Sequence, residues 1–303
     1  MKILLTGKNG QIGWELQRTL MTLGDIVAFD SKTLDLANPD AICSTIRAIK
    51  PQLIINAAAY TAVDKAEDEP ELAMAINGVA PGILAEEAKR LNAAIVHYST
   101  DYVFNGKGAK EPYLETDQPN PLNVYGKTKL AGDQAVQAIG VPHLILRTGW
   151  VYGTRGKNFL LTILKLAQER KEMKVVNDQI GAPTWSRTIA EVTAQALVKI
   201  GFPFTSPSSR LNEVSGLYNL ASSGQTSWYG FAKAIVAHLK SNPSLLLIPI
   251  PASEYPLPAK RPAFSKLNCG KIERVFGLSM PSWETSRALA QEEMMERLEV
   301  YTV

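Results

Sequence analysis

The amino-acid sequence predicts an α/β fold, in which helices cover both faces of a doubly wound parallel sheet. Short apolar segments alternate with amphipathic helical segments along the first half of the 303-residue chain, as they do in folds built from strand–helix–strand units. One apolar segment, Leu53–Ala59, is apolar on both faces, which is typical of a parallel strand buried between helices. Glycines separate the first apolar segment from the first helical segment. These three observations together predict the parallel sheet.

Length and composition limit the kind of protein. The hydrophobic fraction of 46% and the charged fraction of 20% are typical of a globular protein in water. A net charge of +3 is too small and too dispersed to indicate a nucleic-acid partner. The sequence shows neither an apolar run near the ~20 residues that span a bilayer nor a signal peptide. With two cysteines and no CxxC pair, we expect a cytoplasmic protein without a membrane partner.

The first strand and the first helix are joined by regularly spaced glycines. Gly7, Gly10 and Gly13 follow the apolar strand Lys2–Thr6, and a helical pattern continues through Leu16. Glycines let the backbone approach a pyrophosphate, and a helix N-terminus presents free N–H groups to it. The spacing is GxxGxxG rather than GxGxxG, and an ordinary strand–helix turn is the alternative. The context predicts a Rossmann-like dinucleotide site.

An acidic residue at the end of the second strand bears on the choice of cofactor. Asp30 follows the strand Ile26–Phe29 and lies twenty positions after Gly10, where a ribose 2′-hydroxyl would need an acceptor. Lys32 could instead pair with a 2′-phosphate, so the choice between NADH and NADPH stays open. A surface turn is the alternative for Asp30. Asp35-Leu36, before the next helix, could cover the adenine.

The predicted strands deliver several polar or small residues to one edge of the sheet. The small run Ala57–Thr61 ends the third strand, and Ser99–Asp101 lies toward the end of the fourth, Ala93–Phe104. Between them we expect a long helix, Asp68–Leu91, with a kink near Gly78 and Pro81. Ligands of parallel α/β sheets lie at the carboxyl ends of the strands. The sequence therefore predicts that these positions converge on one crevice.

Three residues could carry acid–base chemistry there. Tyr125 and Lys129 lie four apart on a predicted helix, a spacing that stacks them on one face, and Thr100 lies toward the end of a strand. One charge about 4 Å away is worth on the order of 4 kcal/mol at an effective dielectric near 20, enough to lower the pKa of a phenol. We expect Lys129 to hold down the pKa of Tyr125, which passes a proton to a carbonyl oxygen that Thr100 polarises.

The Tyr–Lys spacing alone is weak, because the chain contains a second copy. Tyr229 and Lys233 have the same spacing inside an amphipathic helix. That copy has no Ser-Thr-Asp strand before it, and we interpret it as packing with a solvated lysine.

Beyond about residue 150 the elements are shorter and the loops longer. The helical or strand patterns are His143–Val151, Phe159–Arg170, Arg187–Ile200, Gly216–Ala221, Trp228–Leu239, Leu245–Ile250 and Trp283–Leu298, with a loop over Gly201–Ser215. We expect residues 1–150 to form a dinucleotide-binding domain. Residues 151–303 would form mainly a smaller, mixed and discontinuous substrate-binding domain, with some segments returning to the first. The basic stretch Lys260–Pro262 suits a phosphate-bearing ligand, with an exposed basic loop as the alternative.

Several motifs together resemble one family. They are GxxGxxG at 7–13, NAAAYTAVDKAE at 56–67, STDYVF at 99–104, PLNVYGKTKLAGD at 121–133, RTGWVYG at 147–153, NDQIGAPT at 177–184 and YPLPAKRP at 255–262. In this order they are similar to those of dTDP-4-dehydrorhamnose reductases, which are extended short-chain dehydrogenase/reductases. The resemblance implies reduction of the 4-keto group of a dTDP-6-deoxyhexulose by NADPH or NADH.

The resemblance also implies roles for individual residues. Thr100, Tyr125 and Lys129 take the catalytic positions. Cofactor contacts fall to Gly7, Gly10, Gln11, Ile12, Gly13, Asp30, Asp35, Leu36, Ala59, Tyr60, Thr61, Tyr125 and Lys129. Substrate contacts fall to Thr100, Asp101, Tyr125, Trp150 and Arg261. Gly149 departs from the serine often found before that tryptophan.

A metal and a partner subunit are further implications. Some members of the family hold Mg²⁺ between two subunits with glutamates, and Glu15, Glu191 and Glu293 fall at matching positions. All three lie on predicted helices, where exposed glutamates are common, so a solvated face is the alternative. The resemblance predicts a homodimer with a dTDP-sugar substrate.

Two other functions use the same scaffold. Nucleotide-sugar dehydratases place two acids after the threonine, whereas here Asp101 is followed by Tyr102, which argues against elimination. An epimerase would regenerate its cofactor, so stoichiometric NAD(P)H consumption separates it from a reductase. A non-catalytic relative serves as a regulatory subunit of methionine adenosyltransferase, and the intact Thr100, Tyr125 and Lys129 set argues against that function.

Overall fold

A computed structural model describes residues 1–108, 111–201, 209–237 and 245–300. The strands are β1 (Lys2–Thr6), β2 (Asp25–Phe29), β3 (Leu53–Asn56), β4 (Ala94–Thr100), β5 (His143–Thr148), β6 (Val151–Tyr152), β7 (Glu172–Val176), β8 (Ile180–Gly181), β9 (Thr184–Trp185), β10 (Gly216–Asn219), β11 (Thr226–Ser227) and β12 (Leu246–Ile250). The helices are α1 (Gln11–Thr19), α2 (Pro39–Ile49), α3 (Pro70–Met74), α4 (Ala80–Arg90), α5 (Val124–Ile139), α6 (Phe159–Glu169), α7 (Ser186–Lys199), α8 (Ser209–Val214), α9 (Trp228–Val236), α10 (Gly270–Phe276) and α11 (Trp283–Val300).

Within these residues, six strands form a parallel sheet in the order β10-β5-β4-β3-β1-β2. Helices α1 and α7 pack in the apolar cluster on one face, and α2, α4 and α5 pack in the cluster on the other. The prediction of a Rossmann-like, doubly wound parallel sheet is therefore confirmed. Strand β10 comes from the second half of the chain and completes one edge. The division into two domains near residue 150 stays a prediction.

Alternation along the central strands explains why they are apolar throughout. Ile3 and Leu5 of β1 face one cluster and Leu4 faces the other, and Leu53 and Ile55 of β3 face away from Ile54 in the same way. Successive side chains of a strand point to opposite faces. Both faces are covered by helices, so each residue is buried whichever way it points.

The remaining strands pair in twos beside the sheet. They are β6 with β9, β7 with β12, and β8 with β11. Helices α6, α9 and α11 pack around a separate apolar cluster that includes Tyr152, Phe231 and Trp283. No helix among the described residues is long and apolar enough to cross a bilayer.

Four predicted strands end earlier than expected: the one from Gly216 stops at Asn219, and the other three end at the crevice. The strand from Leu53 stops at Asn56, and the one from Ala93 stops at Thr100, where the side chain of Thr100 accepts from the Tyr102 N–H and starts a 3₁₀ turn. The strand from His143 breaks after Thr148 because Trp150 has a φ of 50°. The alternation of apolar residues along a strand does not show where such a turn begins.

Two further differences lie in the second half of the chain. The segment predicted as a loop contains the helix α8, whereas its first part, 202–208, lies outside the described residues. The predicted end of the helix at Leu239 also lies outside them. The other helix ends differ by one or two residues, which is ordinary for helix termini.

The predicted kink near Gly78 is a π-helical turn, Ala75–Val79, between α3 and α4. It places Asn77 opposite the end of β3. The Asn77 side chain accepts from the Tyr60 N–H at 2.8 Å and donates to the Tyr60 carbonyl at 3.1 Å and to Thr128 Oγ1 at 3.3 Å. This residue therefore ties the loop after β3 to α5, and π turns are frequent at functional sites.

Candidate active site

A cleft of about 710 Å³ opens at the carboxyl ends of β1, β3, β4 and β5. It is within the range of small-molecule and cofactor sites. The predicted site residues that line it are Gly7, Gly10, Gln11, Ile12, Asp30, Ala59, Thr61, Thr100, Asp101, Tyr125, Lys129 and Trp150. The structure thus brings the glycine loop and the proposed acid–base residues to one place, at the sheet edge where parallel α/β folds bind ligands.

The glycine loop needs glycine at two of its three positions. Gly7 has a φ of +75°, and a Cβ there would lie 2.8–2.9 Å from the backbone of Ala57 and Ala58. A Cβ on Gly13 would lie 2.1 Å from the Gly7 carbonyl oxygen. Gly10 is the N-cap of α1 and brings no side chain over the first turn. The loop is therefore packed tightly, with the helix N-terminus free for an anion.

Asp30, at the end of β2, is held in a network of donors. Its carboxylate accepts from the backbone N–H groups of Lys32 and Thr33 at 3.1 Å and from Asn9 Nδ2 at 3.0 Å. Lys8 Nζ lies 3.5 Å from it. The hydrogen bond from the Thr33 side chain is the main cause that lowers the pKa of Asp30. The cleft therefore presents an anion and a lysine side by side at this end.

The acid–base residues are positioned by the turn after β4 and by the start of α5. Thr100 Oγ1 donates to Asp101 Oδ1 at 3.2 Å and accepts from the Tyr102 N–H at 3.1 Å. Asn123 caps α5 by accepting from the Gly126 N–H at 2.7 Å. The ring of Tyr125 packs edge-to-face on Tyr102, with centroids 6.0 Å apart. Both ends of the arrangement are thus fixed by capping side chains.

The prediction that Tyr125 has a lowered pKa is wrong for the chain itself, because burial outweighs the nearby charge. Burial raises the pKa of Tyr125 to about 12, although the hydrogen bond with Thr100 acts in the opposite direction. Lys129 Nζ donates to the Tyr98 carbonyl at 2.5 Å, and burial lowers the pKa of Lys129 to about 8. The Coulomb argument omitted desolvation, which disfavours the charged form of both groups. At neutral pH, Tyr125 is therefore a protonated donor.

Asp101 is a buried carboxyl in direct contact with Gly149. A Cβ on Gly149 would lie 2.3–2.6 Å from its carboxyl atoms. Burial raises the pKa of Asp101 to about 6, against the lowering effect of hydrogen bonds from Ser265 and Thr100. Glycine at position 149, which departs from the serine of the resembling family, is what leaves room for this carboxyl.

Trp150 forms one wall of the cleft together with Trp228. The two rings are stacked, with centroids 3.5 Å apart and planes 1° apart. The edge of Trp150 lies against Gly181, where a Cβ would be 2.4 Å from Trp150 Cε2. The backbone of Trp150 is in the left-handed region, with a φ of 50°. Residues whose backbone is held in such a sparsely populated region by their neighbours cluster at functional sites.

Several predicted residues lie beside the cleft without lining it. Gly13 packs against Gly7, and Leu36 is in the core. The Asp35 carboxylate accepts from the Ala37 N–H, the Tyr60 hydroxyl donates to Glu69 at 2.5 Å, and Arg261 forms a bidentate pair with Asp64 at 2.7 and 2.9 Å. Their functional roles stay predictions.

Other lining residues had no predicted role. They include Asn9, Ser31, Val63, Tyr102, Lys157 and Trp228. Asn9 and Ser31 are next to predicted residues, so adjacency could have found them. Trp228 begins α9, far along the chain, and no spacing in the sequence connects it with Trp150.

The three predicted metal ligands lie around Arg187. Its Nε is 2.9 Å from Glu15 Oε2, and its second guanidinium nitrogen is 3.6 Å from Glu293 Oε2. Burial raises the pKa of Glu191, and the charge of Arg187 opposes this. The described residues contain no group of three or more His, Cys, Asp or Glu side chains arranged to hold a metal. Within one chain Arg187 is the cation that pairs with Glu15 and Glu293, and the Mg²⁺ site between two subunits stays a prediction.

Comparison with known proteins shows to which family the chain belongs. The family described as "RmlD substrate binding domain" matches residues 1–296. The chain belongs to this family. A relative named dTDP-4-dehydrorhamnose reductase, from Burkholderia thailandensis, is 46% identical over 308 residues, covering 98% of this chain and 100% of the relative.

Two solved structures of dTDP-4-dehydrorhamnose reductases have the same fold as this chain. A dTDP-4-dehydrorhamnose reductase from Clostridium acetobutylicum has a TM-score of 0.89 and 37% identity, covering 97% of this chain and 100% of that chain. One from Bacillus anthracis, in complex with NADP, has a TM-score of 0.87 and 35% identity, covering 96% and 99%. The family resemblance stated from the motifs is therefore confirmed.

Proposed function

We propose that this protein is an NAD(P)H-dependent oxidoreductase. It reduces the 4-keto group of dTDP-4-dehydro-6-deoxy-L-mannose, that is dTDP-4-dehydrorhamnose, to dTDP-L-rhamnose. The observation that carries the proposal is the convergence of Thr100, Tyr125 and Lys129 on the cleft lined by Gly7 and Gly10. Two relatives that are each 46% identical, over 98% and 94% of this chain, are named dTDP-4-dehydrorhamnose reductase.

The residues divide the chemistry between them. Bound NAD(P)H supplies the hydride. Tyr125, protonated at neutral pH, donates its proton to the carbonyl oxygen as that oxygen gains charge. The Thr100 hydroxyl hydrogen-bonds the same oxygen. The Lys129 ammonium adds a positive charge at the cleft, which favours departure of the proton from the phenol.

Both reduced cofactors are compatible with the adenosine end of the cleft. The N-terminus of α1 and the backbone of Gly10–Ile12 receive the pyrophosphate. Asp30 offers an acceptor for a ribose hydroxyl, and Lys8, 3.5 Å from it, offers a charge for a 2′-phosphate. The relative from Bacillus anthracis was solved with NADP. We therefore propose that the protein uses NADPH or NADH as the hydride donor, and we make no choice between the two.

The dTDP-sugar is assigned to the other end. Asp101 and the Trp150 ring face the sugar beside Thr100. Arg261 lies in the segment that Asn123 Nδ2 holds through the Lys260 carbonyl at 2.7 Å, and we assign it to the diphosphate. A homodimer, with Glu15, Glu191 and Glu293 near its interface, belongs to the same proposal.

The decisive experiment mixes the purified protein with dTDP-4-keto-6-deoxyhexose and with NADPH or NADH in separate reactions. We expect stoichiometric loss of dihydronicotinamide absorbance and formation of dTDP-rhamnose. A product formed without net cofactor consumption would indicate an epimerase instead. Absence of any turnover with either cofactor, in a protein that binds both, would contradict the proposal.

A further inference from the structure

A cluster of titratable side chains is buried beneath the cleft. His97 on β4, Lys129 and Asp133 on α5, and Arg147 on β5 are each at most 3% exposed. Lys129 also lines the cleft, whereas the other three have no role in the reaction described so far. Buried ionisable groups are costly unless they are paired, so their presence asks for an explanation.

Asp133 is the centre of this cluster. Its Oδ2 accepts from Ser99 Oγ at 2.7 Å and from Arg147 Nε at 3.4 Å. Its Oδ1 lies 3.8 Å from His97 Nε2. The carboxylate is therefore approached from three sides by groups that carry positive charge or a donor hydrogen.

A chain of hydrogen bonds fixes the tautomer of His97. The Ala58 N–H donates to Thr6 Oγ1, so the Thr6 hydroxyl donates to Asn56 Oδ1 at 2.7 Å. The Asn56 amide nitrogen must then donate to His97 Nδ1, at 3.1 Å. With Nδ1 as an acceptor, a neutral His97 carries its hydrogen on Nε2, which lies 3.8 Å from Asp133 Oδ1 and 3.5 Å from Lys129 Nζ. In this tautomer Nε2 cannot accept from Lys129, so His97 leaves the charge of Lys129 to be balanced by Asp133. The chain runs from the loop at the cofactor end of the cleft to this carboxylate.

The charges in the cluster follow from these contacts. Arg147 stays protonated at any ordinary pH, which requires a nearby anion, and Asp133 is in contact with it. Burial, and next the charge of Lys129, lower the pKa of His97 well below its usual range, so it stays neutral. Burial lowers the pKa of Lys129, and the charge of Asp133 opposes that effect. Asp133 pairs directly with Arg147, and it faces Lys129 across His97, whose Nε2 lies 3.8 Å from Asp133 Oδ1 and 3.5 Å from Lys129 Nζ. Burial raises the pKa of Asp133, and the charges of Arg147 and Lys129 oppose this effect.

We propose that Asp133 is a positioning residue of the reaction, whose carboxylate keeps the buried Lys129 ammonium charged at the floor of the cleft. This inference rests on the proposed function, because it concerns a residue of that active site. The groups that face Lys129 or Asp133 are Tyr125 on α5, His97 on β4 and Arg147 on β5, with Asp101 facing Tyr125.

The test is the pH profile of kcat in Asp133→Asn. A lysine loses its charge as the pH rises through its pKa, and removal of the neighbouring anion lowers that pKa. We therefore expect the alkaline limb to move to lower pH by about one pH unit or more, with little change in the KM for the sugar nucleotide. An alkaline limb at the wild-type position in folded Asp133→Asn would overturn the inference.

A second variant keeps the test independent of folding. Asp133→Asn leaves Arg147 buried without its anion, which can destabilise the chain. In Asp133→Asn/Arg147→Met the pair is removed together, so we expect a folded protein with the same displaced limb. Asp133→Glu keeps the charge and should retain the wild-type limb. Displacement in Asp133→Glu equal to that in the double variant would show that packing, not charge, is responsible.

A matched control exists elsewhere in the chain. Glu87 is 1% exposed and forms a bidentate pair with Arg47 at 2.6 and 2.9 Å. Glu87→Gln also breaks a buried ion pair, and we expect it to lower stability without moving the pH profile. A wild-type protein inactive at every pH would contradict the proposed function, whereas an active wild type with an unmoved limb in the variants would contradict only the role of Asp133.

Discussion

At the scale of single residues, the site depends on which form of each titratable group burial favours. Tyr125 and Asp101 are both shifted toward their protonated forms, with pKa values of about 12 and about 6. Desolvation is the leading cause in each case. A phenol that stays protonated suits a reduction, which ends with a proton on the carbonyl oxygen. The carboxyl, in contrast, changes its charge near pH 6.

Removal of the Tyr125 hydroxyl tests its role as the acid. We expect Tyr125→Phe to lower kcat by about 10²- to 10⁴-fold, the usual contribution of general acid catalysis, with cofactor binding retained. Steady-state kinetics and cofactor titration measure the two effects. Tyr229→Phe is the matched control, since Tyr229 and Lys233 have the same spacing, and it should retain full activity. Equal loss in both variants would contradict the assignment.

The buried carboxyl of Asp101 should make the folded chain less stable at higher pH while it serves the reaction. Its pKa in the folded chain is raised from 3.8 to about 6, so the folded state is favoured at low pH and loses that contribution as the pH rises through about 6. We expect Asp101→Asn to be more stable than the wild type at pH ~8, by up to about 3 kcal/mol, and much less so at pH ~4. Chemical denaturation at the two values measures this difference.

The same variant should be a poorer enzyme, because Asn cannot supply the negative charge that accepts from Thr100. Loss of activity together with a gain of stability would agree with a site that holds a costly buried carboxyl. If Asp101→Asn were less stable than the wild type at both pH values, the raised pKa would be contradicted.

At the scale of elements, the cleft is built where strands end and helices begin. Thr100 ends β4, Tyr125 begins α5, Trp150 interrupts the chain between β5 and β6, and Trp228 begins α9. Side chains at such ends are held by caps and stacking rather than by the regular ladder. The wall of the cleft formed by Trp150 and Trp228 can therefore be tested separately from the acid–base residues.

Loss of the tryptophan stack should weaken sugar binding without affecting the cofactor. The ring of Trp228 stacks on that of Trp150, and an aromatic pair is worth about 0.5–1.5 kcal/mol. We expect Trp228→Leu to raise the KM for the sugar nucleotide by about 2- to 10-fold, with the KM for NADPH unchanged. Circular dichroism should show loss of the signal from the coupled indoles.

Trp14→Phe is the control for that experiment. Trp14 lies between Arg18 and Arg155, with their guanidinium carbons 3.7 and 3.4 Å from the ring centroid, and it does not line the cleft. Its loss should leave both KM values unchanged. A fall in affinity for NADPH, rather than for the sugar nucleotide, in Trp228→Leu would assign the stack to the cofactor.

Local patterns in the sequence were enough to predict many of the residues that line the cleft. The glycine loop, the helical pair Tyr125 and Lys129, and Asp30 at a strand end each depend on a few neighbouring residues, and the structure brings them to one cleft. Contacts over long distances along the chain were not predictable. The stack of Trp228 on Trp150 and the pairing of Asp133 with Arg147 depend on the packing of separate elements.

Burial was the other quantity that spacing could not provide. Four residues of separation placed an ammonium near a phenol, but the balance between attraction and desolvation depends on how much water remains. The ends of β4 and β5 were missed for a related reason, since the turns there are set by the Thr100 side-chain cap and by the left-handed backbone of Trp150.

At the scale of the whole molecule, the glutamates around Arg187 make a prediction about assembly. Because the guanidinium already pairs with Glu15 and Glu293, we expect the oligomeric mass of the protein to be the same with and without a chelator. Light scattering after size-exclusion chromatography measures this mass, and equilibrium dialysis measures Mg²⁺ retention. Retained Mg²⁺ with a chelator-dependent mass would instead support the intersubunit site that the resemblance predicts.

Strand β10 has a consequence for how the molecule comes into being. It pairs with β5 at the margin of the sheet, yet it is synthesised long after β5, beyond α6 and α7. Until Gly216–Asn219 has left the ribosome, the backbone of His143–Thr148 has no neighbour on that side, and unpaired strands associate readily. We expect a chain cut short before residue 216 to self-associate during translation, and the full-length chain to be protected as soon as that short strand docks.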